Sequence, residues 1–188
     1  METTTTFESW LGLPSDRRPS PSGPGYWCPT HNEDCFRSCS ARRNGRYGSA
    51  GVLFFHRASM SFLLNLRSGM INNGGTWSTH GGALEKGETA LEGALREANE
   101  EIGFEADEVE VIVEHRATTF GPESSWSYTT VVVEVTDRFA AEVTDEFESD
   151  GVGWFSIAEM ASLPLHPGFR KSVVSILGSL YRAGALSA

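Results

Sequence analysis

The chain has 188 residues, of which 39% are hydrophobic and 21% charged, which suits one globular domain and excludes wholesale disorder. Its formal net charge of −10 excludes broad electrostatic binding to DNA or RNA, but it permits a nucleotide substrate because a bound divalent cation reverses the local charge. No apolar run approaches the roughly 18 residues that cross a bilayer, and the first residues lack the pattern of a signal peptide. We therefore expect a cytoplasmic protein without a membrane partner.

Residues 1–46 differ in composition from the rest of the chain. They contain Thr-rich, Pro/Ser-rich and Arg-rich stretches, which predict an irregular N-terminal arm. From residue 47 the pattern becomes orderly, and residues 47–188 are predicted to form the main domain.

Strand and helix patterns alternate along this domain. Short β-branched or apolar runs predict strands at residues 49–55, 61–66, 108–116, 128–135 and 152–155. A glycine-rich segment leads into a helix at about 89–102, and Gly103 stands where a C-cap glycine belongs. A helical turn at 157–161 and an amphipathic helix at 167–182 follow. The last helix offers six residues to the core: Phe169, Val173, Val174, Ile176, Leu177 and Leu180. This order predicts an α/β or α+β fold with a mixed sheet between helices.

The helix at residues 89–102 gathers three carboxylates on one side. At about 100° per residue, its small and aliphatic residues form a stripe that packs on the sheet, and Glu97, Glu100 and Glu101 lie beside that stripe. Like charges at this spacing, near the negative end of the helix dipole, destabilise a helix unless a cation binds. A divalent cation such as Mg²⁺ suits oxygen ligands and usually also holds phosphate. The alternative is a solvated acidic face without a ligand.

The same segment resembles the Nudix signature, G-x5-E-x7-R-E-U-x-E-E-x-G-U, in which U is a bulky apolar residue. Every fixed position is filled, namely by Gly82, Glu88, Arg96, Glu97, Glu100, Glu101 and Gly103. Ala98 is smaller than the usual apolar residue, which affects packing more than chemistry. The resemblance covers about residues 47–182 and implies a Nudix-type α/β/α sandwich with a mixed central sheet. Segments 74–77 and 163–167 are also similar to actinobacterial-type Nudix proteins of unassigned substrate.

The resemblance implies that the box binds Mg²⁺ or Mn²⁺. The implied ligands are the Gly82 carbonyl and the carboxylates of Glu97, Glu100 and Glu101. Glu88 would pair with Arg96 and orient this cluster, and Glu97 would be the catalytic base within the box.

Members of the family often use a further carboxylate several residues before a Trp on a late strand. Glu148, six residues before Trp154, is the expected one, as a metal ligand and as the rival base, with Glu146 next. The alternative is that Glu148 is an acidic loop residue in solvent.

Three residues outside the box are candidates for substrate binding. The family often has Pro-Gly-Gly at the box entry, whereas this chain has His80 before the two glycines. His80 would contact phosphate or metal, or else it is an ordinary turn residue. Trp126 and Tyr128 would stack on a base or sugar, or else they are ordinary aromatic residues of a strand.

The N-terminal arm holds three thiols and an imidazole within twelve residues: Cys28, His31, Cys35 and Cys39. This inventory fits a structural Cys3His zinc site, although the spacing is not that of a standard zinc finger. The alternative is free thiols in a cytosolic arm.

The sequence thus predicts hydrolysis of a pyrophosphate bond in a nucleoside diphosphate linked to another group. An ADP-ribose or NDP-sugar substrate is the first candidate and a (d)NTP the second. The alternative is a binding module with the same fold that senses a nucleotide without cleaving it. Nudix regulators of that kind usually lack box carboxylates, all of which are present here. A monomer and a homodimer are both compatible with the sequence.

Overall fold

The computed structural model describes residues 47–105, 109–118 and 127–186, together with the backbone of residues 27–28 and 33–34. Of the helices in this part of the chain, none combines the length and apolar character needed to cross a membrane.

Nine strands and three α-helices make up the described structure. The strands are β1 (Trp27–Cys28), β2 (Glu33–Asp34), β3 (Ser49–His56), β4 (Ser61–Arg67), β5 (Trp77–Ser78), β6 (His80–Ala83), β7 (Glu110–Thr118), β8 (Ser127–Val135) and β9 (Ser149–Ser156). The helices are α1 (Ala90–Ile102), α2 (Ile157–Ser162) and α3 (Pro167–Arg182), and a 3-10 turn spans Arg57–Ser59.

A mixed sheet of seven strands is built around β3. One edge of β3 pairs in parallel with β8, from Ser49↔Tyr128 to His56↔Val135, and β7 extends the sheet antiparallel to β8. The other edge pairs with β6 at the start of β3 and with β4 at its end. Strand β4 then diverges to pair with β5 and, over seven residue pairs, with β9. The two short strands β1 and β2 form a separate antiparallel pair.

Alternate residues of β3 point into two hydrophobic cores, one on each face of the sheet, because successive side chains of a strand face opposite ways. Leu53 and Phe55 pack in the core that contains α2 and α3, whereas Val52 and Phe54 pack in the core that contains α1. The sheet therefore lies between helices, which confirms the predicted α/β/α sandwich.

The segment before α3 is tied to β5. Trp77 N–H donates to the Pro164 carbonyl (2.9 Å), and His166 N–H donates to the Trp77 carbonyl (2.8 Å). His166 also begins α3, because its Nδ1 accepts a hydrogen bond from Gly168 N–H (3.1 Å). Its Nε2 lies 3.2 Å from the Asn73 side-chain amide. Segments 74–77 and 163–167, both singled out in the sequence, are thus neighbours in the fold.

Most predicted elements match the observed ones to within two or three residues, but the structure differs from the prediction in three respects. The glycine-rich segment that leads into the helix begins as strand β6, and strand β5 has no counterpart among the predicted elements. Val174, assigned to the core, is 74% exposed because it lies about 100° around the helix from Val173.

Candidate active site

Helix α1 is fixed at both ends by its own sequence. The Thr89 hydroxyl accepts a hydrogen bond from Glu92 N–H, and the Glu92 carboxylate accepts from Thr89 N–H, which completes a capping box. The helix ends at Gly103, whose φ of 64° favours glycine. Because both ends of the helix are fixed, Glu100 and Glu101 lie in its last turn.

Arg96 is the cation at the centre of the box. Its Nε donates to Glu88 Oε1 (2.9 Å) and its Nη2 to the Ala83 carbonyl (2.9 Å). Its Nη1 donates to Glu97 Oε1 (2.8 Å) and, at 3.4 Å, to Glu100 Oε1. These carboxylates raise the pKa of Arg96, so the guanidinium stays charged. Arg96 thereby ties the entry loop to the acidic side of the helix.

Glu97 lies in the interior of the cluster, with 14% of its side chain exposed. Burial raises the pKa of Glu97 to about 7; Arg96 opposes this shift, and the charges of Glu101 and Glu100 add to it. Its carboxylate lies directly against Gly82, where an added Cβ would overlap it. A side chain at position 82 would therefore displace the Glu97 carboxylate.

Glu101 is almost completely buried, with 4% exposure. Its Oε2 lies 3.0 Å from His80 Nδ1 and accepts a long hydrogen bond (3.4 Å) from the Asn65 amide. Its Oε1 accepts from Gly81 N–H at 3.4 Å. His80 is itself fully buried in β6, so its interpretation as a turn residue is wrong.

Glu148 lies near the end of helix α1 because the turn that carries it is bonded to that end. Thr144 N–H donates to the Glu101 carbonyl (2.9 Å), and the Thr144 hydroxyl donates to the Glu100 carbonyl (2.5 Å). Desolvation by the surrounding protein raises the pKa of Glu148, and the charge of Glu101 adds to this effect, although the residue keeps an exposed surface. Glu148 therefore lies within reach of the negative charge of Glu101 and Glu100.

The donors of this site fit a hard divalent cation in chemistry and charge. Four carboxylates (Glu97, Glu100, Glu101 and Glu148) supply oxygens, and Arg96 alone does not balance them. As the side chains lie, however, no three acidic, histidine or cysteine residues of the described ranges converge closely enough to hold one ion. Glu97 is bonded to Arg96 instead, so ion binding requires a local rearrangement of side chains.

The family of the chain follows from comparison with known proteins. The family model of the NUDIX domain matches residues 45–175. The chain belongs to the Nudix family. This membership confirms the resemblance to the Nudix signature that the sequence shows.

Two curated relatives and one crystal structure illustrate the Nudix relationship. "Putative 8-oxo-dGTP diphosphatase 3" of Mycobacterium tuberculosis is 39% identical over 142 residues, which cover 68% of this chain and 60% of the relative. A "Nucleoside triphosphate pyrophosphatase/Nudix hydrolase fusion protein" of Bifidobacterium longum is 31% identical over 138 residues, or 70% of this chain and 27% of the relative. The chain thus spans less than two thirds of either relative.

Among solved structures, the Nudix hydrolase RenU of M. smegmatis has 28% sequence identity and a TM-score of 0.72. The match covers 88% of this chain and all of RenU. This likeness confirms the Nudix fold over the described domain.

The remaining predicted site residues fall into two groups. Tyr128 is described: its hydroxyl lies 2.7 Å from the Thr79 hydroxyl, and burial raises its pKa to about 12. Its role toward substrate stays a prediction. Four others lie outside the described residues, namely Trp126, His31, Cys35 and Cys39, and of Cys28 only the backbone is described.

Sequence reasoning missed Asn65, Ser149 and Thr144. Asn65 had a detectable signal, because it is a single amide in the otherwise apolar run Phe62-Leu-Leu-Asn-Leu66. Thr144 and Ser149 had none, since their contacts join residues more than forty positions apart along the chain.

Proposed function

We propose that this Nudix protein is a divalent-metal-dependent pyrophosphohydrolase that cleaves a pyrophosphate bond in a small nucleotide. The observation that carries the proposal is the concentration of four carboxylates near the C-terminal end of α1, where burial and the neighbouring negative charges raise the pKa of Glu97 to about 7. Such an excess of negative charge is stabilised by a cation. The complete Nudix box supports Mg²⁺ or Mn²⁺ as that cation.

The residues proposed to hold the cation are Glu97, Glu100, Glu101 and Glu148, with the Gly82 carbonyl. When bound, a divalent cation supplies charge neutralisation on phosphate oxygens and acidifies a water. Arg96, held by Glu88, keeps the cluster oriented toward the entry loop.

A carboxylate of the chain is proposed to accept the proton of the attacking water. Glu97 is the first candidate, because its raised pKa lies near neutral pH, where a general base is most effective. Glu148 is the second, since its pKa is also raised and its surface is more accessible. The Glu97→Gln and Glu148→Gln variants distinguish the two by their pH–rate profiles: the variant that lacks the base loses the acidic limb of the profile.

Two substrate classes are proposed. A nucleoside diphosphate linked to another group, such as ADP-ribose or an NDP-sugar, is the first candidate. The similarity to the mycobacterial relative named as an 8-oxo-dGTP diphosphatase favours a purine (d)NTP as the second candidate. Both classes present a pyrophosphate to the same carboxylates.

The proposal is tested with the Glu101→Gln variant, which preserves shape and removes one charge. Wild type and variant are incubated with ADP-ribose, UDP-glucose, dGTP and 8-oxo-dGTP in Mg²⁺, and the products are separated by chromatography. We expect Mg²⁺-dependent cleavage by the wild type and loss of most of it in the variant. The matched control is Glu92→Gln on the same helix, since glutamine also completes a capping box. Equal turnover by Glu101→Gln and the wild type would refute the metal assignment, and nucleotide binding without cleavage by the wild type would favour the sensor alternative.

We also propose that the N-terminal arm, residues 1–46, is a separate element from the Nudix domain at residues 47–188. Its cysteines and histidine would hold Zn²⁺ through Cys28, His31, Cys35 and Cys39. Elemental analysis of the purified protein tests this: zinc at one equivalent, lost in the Cys35→Ser variant, is expected, and its absence from the wild type favours free thiols.

A further inference from the structure

A buried polar network lies behind the exposed carboxylates of the box. It consists of His80, Asn65, Glu101 and Ser149, and we call it the Glu101 network. Their exposures are 0%, 3%, 4% and 2%, so each side chain is removed from water. Polar groups at such positions are stable only when they are hydrogen-bonded, and an ionised carboxylate there demands several donors.

The directions of the hydrogen bonds in the Glu101 network follow from its chemistry. An ionised carboxylate only accepts hydrogen bonds, so His80 must carry its proton on Nδ1 to contact Glu101 Oε2 at 3.0 Å. Asn65 donates to the same oxygen through Nδ2 at 3.4 Å. Ser149 in turn donates to Asn65 Oδ1, which fixes the amide with its N–H side toward Glu101. Two side chains are thus aimed at one carboxylate oxygen.

The two oxygens of Glu101 are therefore unequal. Oε2 is held by His80 and Asn65, whereas Oε1 receives, within the described residues, only the 3.4 Å N–H contact from Gly81. Oε1 is the oxygen that can bind a cation without breaking the side-chain contacts of the network.

Burial of His80 is not explained by core packing alone. Its Nε2 is buried and has no hydrogen-bond partner among the described residues, and a buried polar atom without a partner destabilises the folded protein. An apolar side chain against Phe54, whose ring centroid lies 6.3 Å from that of His80, would avoid this cost. The Pro-Gly-Gly entry frequent in the family has no side-chain donor at this position. The feature that His80 adds is the Nδ1–H bond to Glu101.

We propose that His80, assisted by Asn65 and Ser149, is a positioning residue that fixes the Glu101 carboxylate for cation binding. The inference rests on the proposed function, because it assigns Glu101 to the metal. Residues that orient a metal ligand typically contribute about 10–100-fold to metal affinity or activity. His80 is expected to act through Glu101 and not on the substrate itself.

The test compares His80→Phe, which keeps a ring and loses the donor, with His80→Asn, whose amide replaces the Nδ1–H. Binding of Mn²⁺ alone, without nucleotide, is measured by electron paramagnetic resonance on the full chain. We expect His80→Phe to bind Mn²⁺ about tenfold more weakly than wild type. His80→Asn is expected to recover most of that loss, which a purely structural role would not produce. The control, His115→Phe on β7, should bind Mn²⁺ as the wild type does.

Each outcome decides the proposal. Unchanged Mn²⁺ affinity in His80→Phe overturns it, and so does equal weakening in His80→Phe and His80→Asn, because packing would then be the cause. If His80→Phe does not fold, Asn65→Leu removes the second donor to the same oxygen, and unchanged affinity in that variant overturns the proposal. A wild type that binds no Mn²⁺ refutes the proposed function itself, a result distinct from any difference between variants.

Discussion

His166 should make the stability of the protein sensitive to mild acid. Burial, together with the charge of Arg67, lowers the pKa of this imidazole from 6.5 to about 4. The unfolded chain therefore binds a proton near pH 6.5 that the folded protein binds only near pH 4. The contribution of the neutral His166 to the free energy of unfolding is fully present above pH 6.5 and is lost as the pH falls toward 4.

The size of this effect follows from the two pKa values. The difference between the two pKa values lowers the free energy of unfolding by about 3 kcal/mol below pH 4. Of this, about 2 kcal/mol is already lost at pH 5. Its structural origin is the neutral ring at the start of α3, where Nδ1 accepts from Gly168 N–H and cannot also carry a proton. Nε2, on the other side of the ring, lies 3.2 Å from the Asn73 side-chain amide nitrogen.

The His166→Asn variant removes the titration and keeps an N-cap acceptor. Urea unfolding at pH 7 and pH 5, followed by tryptophan fluorescence, gives the free energy of unfolding of both proteins. We expect the wild type to lose about 2 kcal/mol more than the variant between these pH values, since the other titrating groups cancel in the comparison. His166→Ser, another capping residue, should behave like His166→Asn. Equal losses in the wild type and both variants would refute the reasoning.

Three further substitutions test the box and its helix. Gly82→Ala places a Cβ against the Glu97 carboxylate, so turnover should fall by at least about tenfold with unchanged circular dichroism; normal turnover would contradict the described contact. Arg96→Lys cannot hold Glu88 and Glu97 at once, and a loss of about 10–100-fold in kcat is expected, whereas wild-type kcat would exclude an orienting role. Thr89→Ala removes the helix cap and should lower the free energy of unfolding by about 1 kcal/mol without changing kcat, as measured by urea unfolding and product release.

Local signals in the sequence predicted α1 well because its boundaries depend on nearby residues. Thr89 and Glu92 cap the start, Gly103 ends the helix, and the acidic side follows from the spacing of the glutamates. The box therefore identifies both an element and a set of neighbouring carboxylates from local sequence alone. Its Arg96–Glu88 contact is also as the family resemblance implied.

Elements that depend on distant partners could not be predicted in this way. Strand β6, with the sequence His-Gly-Gly-Ala, has little intrinsic preference for a strand and forms because β3 offers its edge. An added Cβ at Gly81 would overlap the backbone of Ala50 and Gly51, so its glycine reflects this close approach and not a flexible loop. The same non-local pairing buries His80 and brings it to Glu101, a contact that no local pattern contains.

The parallel pairing of β3 with β8 has a consequence for how the protein is made. Each residue of β3 is 79 positions away from its partner on β8, and helix α1 lies between the two strands in the sequence. On the ribosome, the edge of β3 that pairs with β8 therefore stays open until residue 135 has left the exit tunnel. Contacts of such long range slow folding, and apolar segments that wait for a partner attract aggregation and chaperones. Synthesis should thus be most vulnerable in this interval, when the acidic helix already exists but β7 and β8 have not yet completed the sheet.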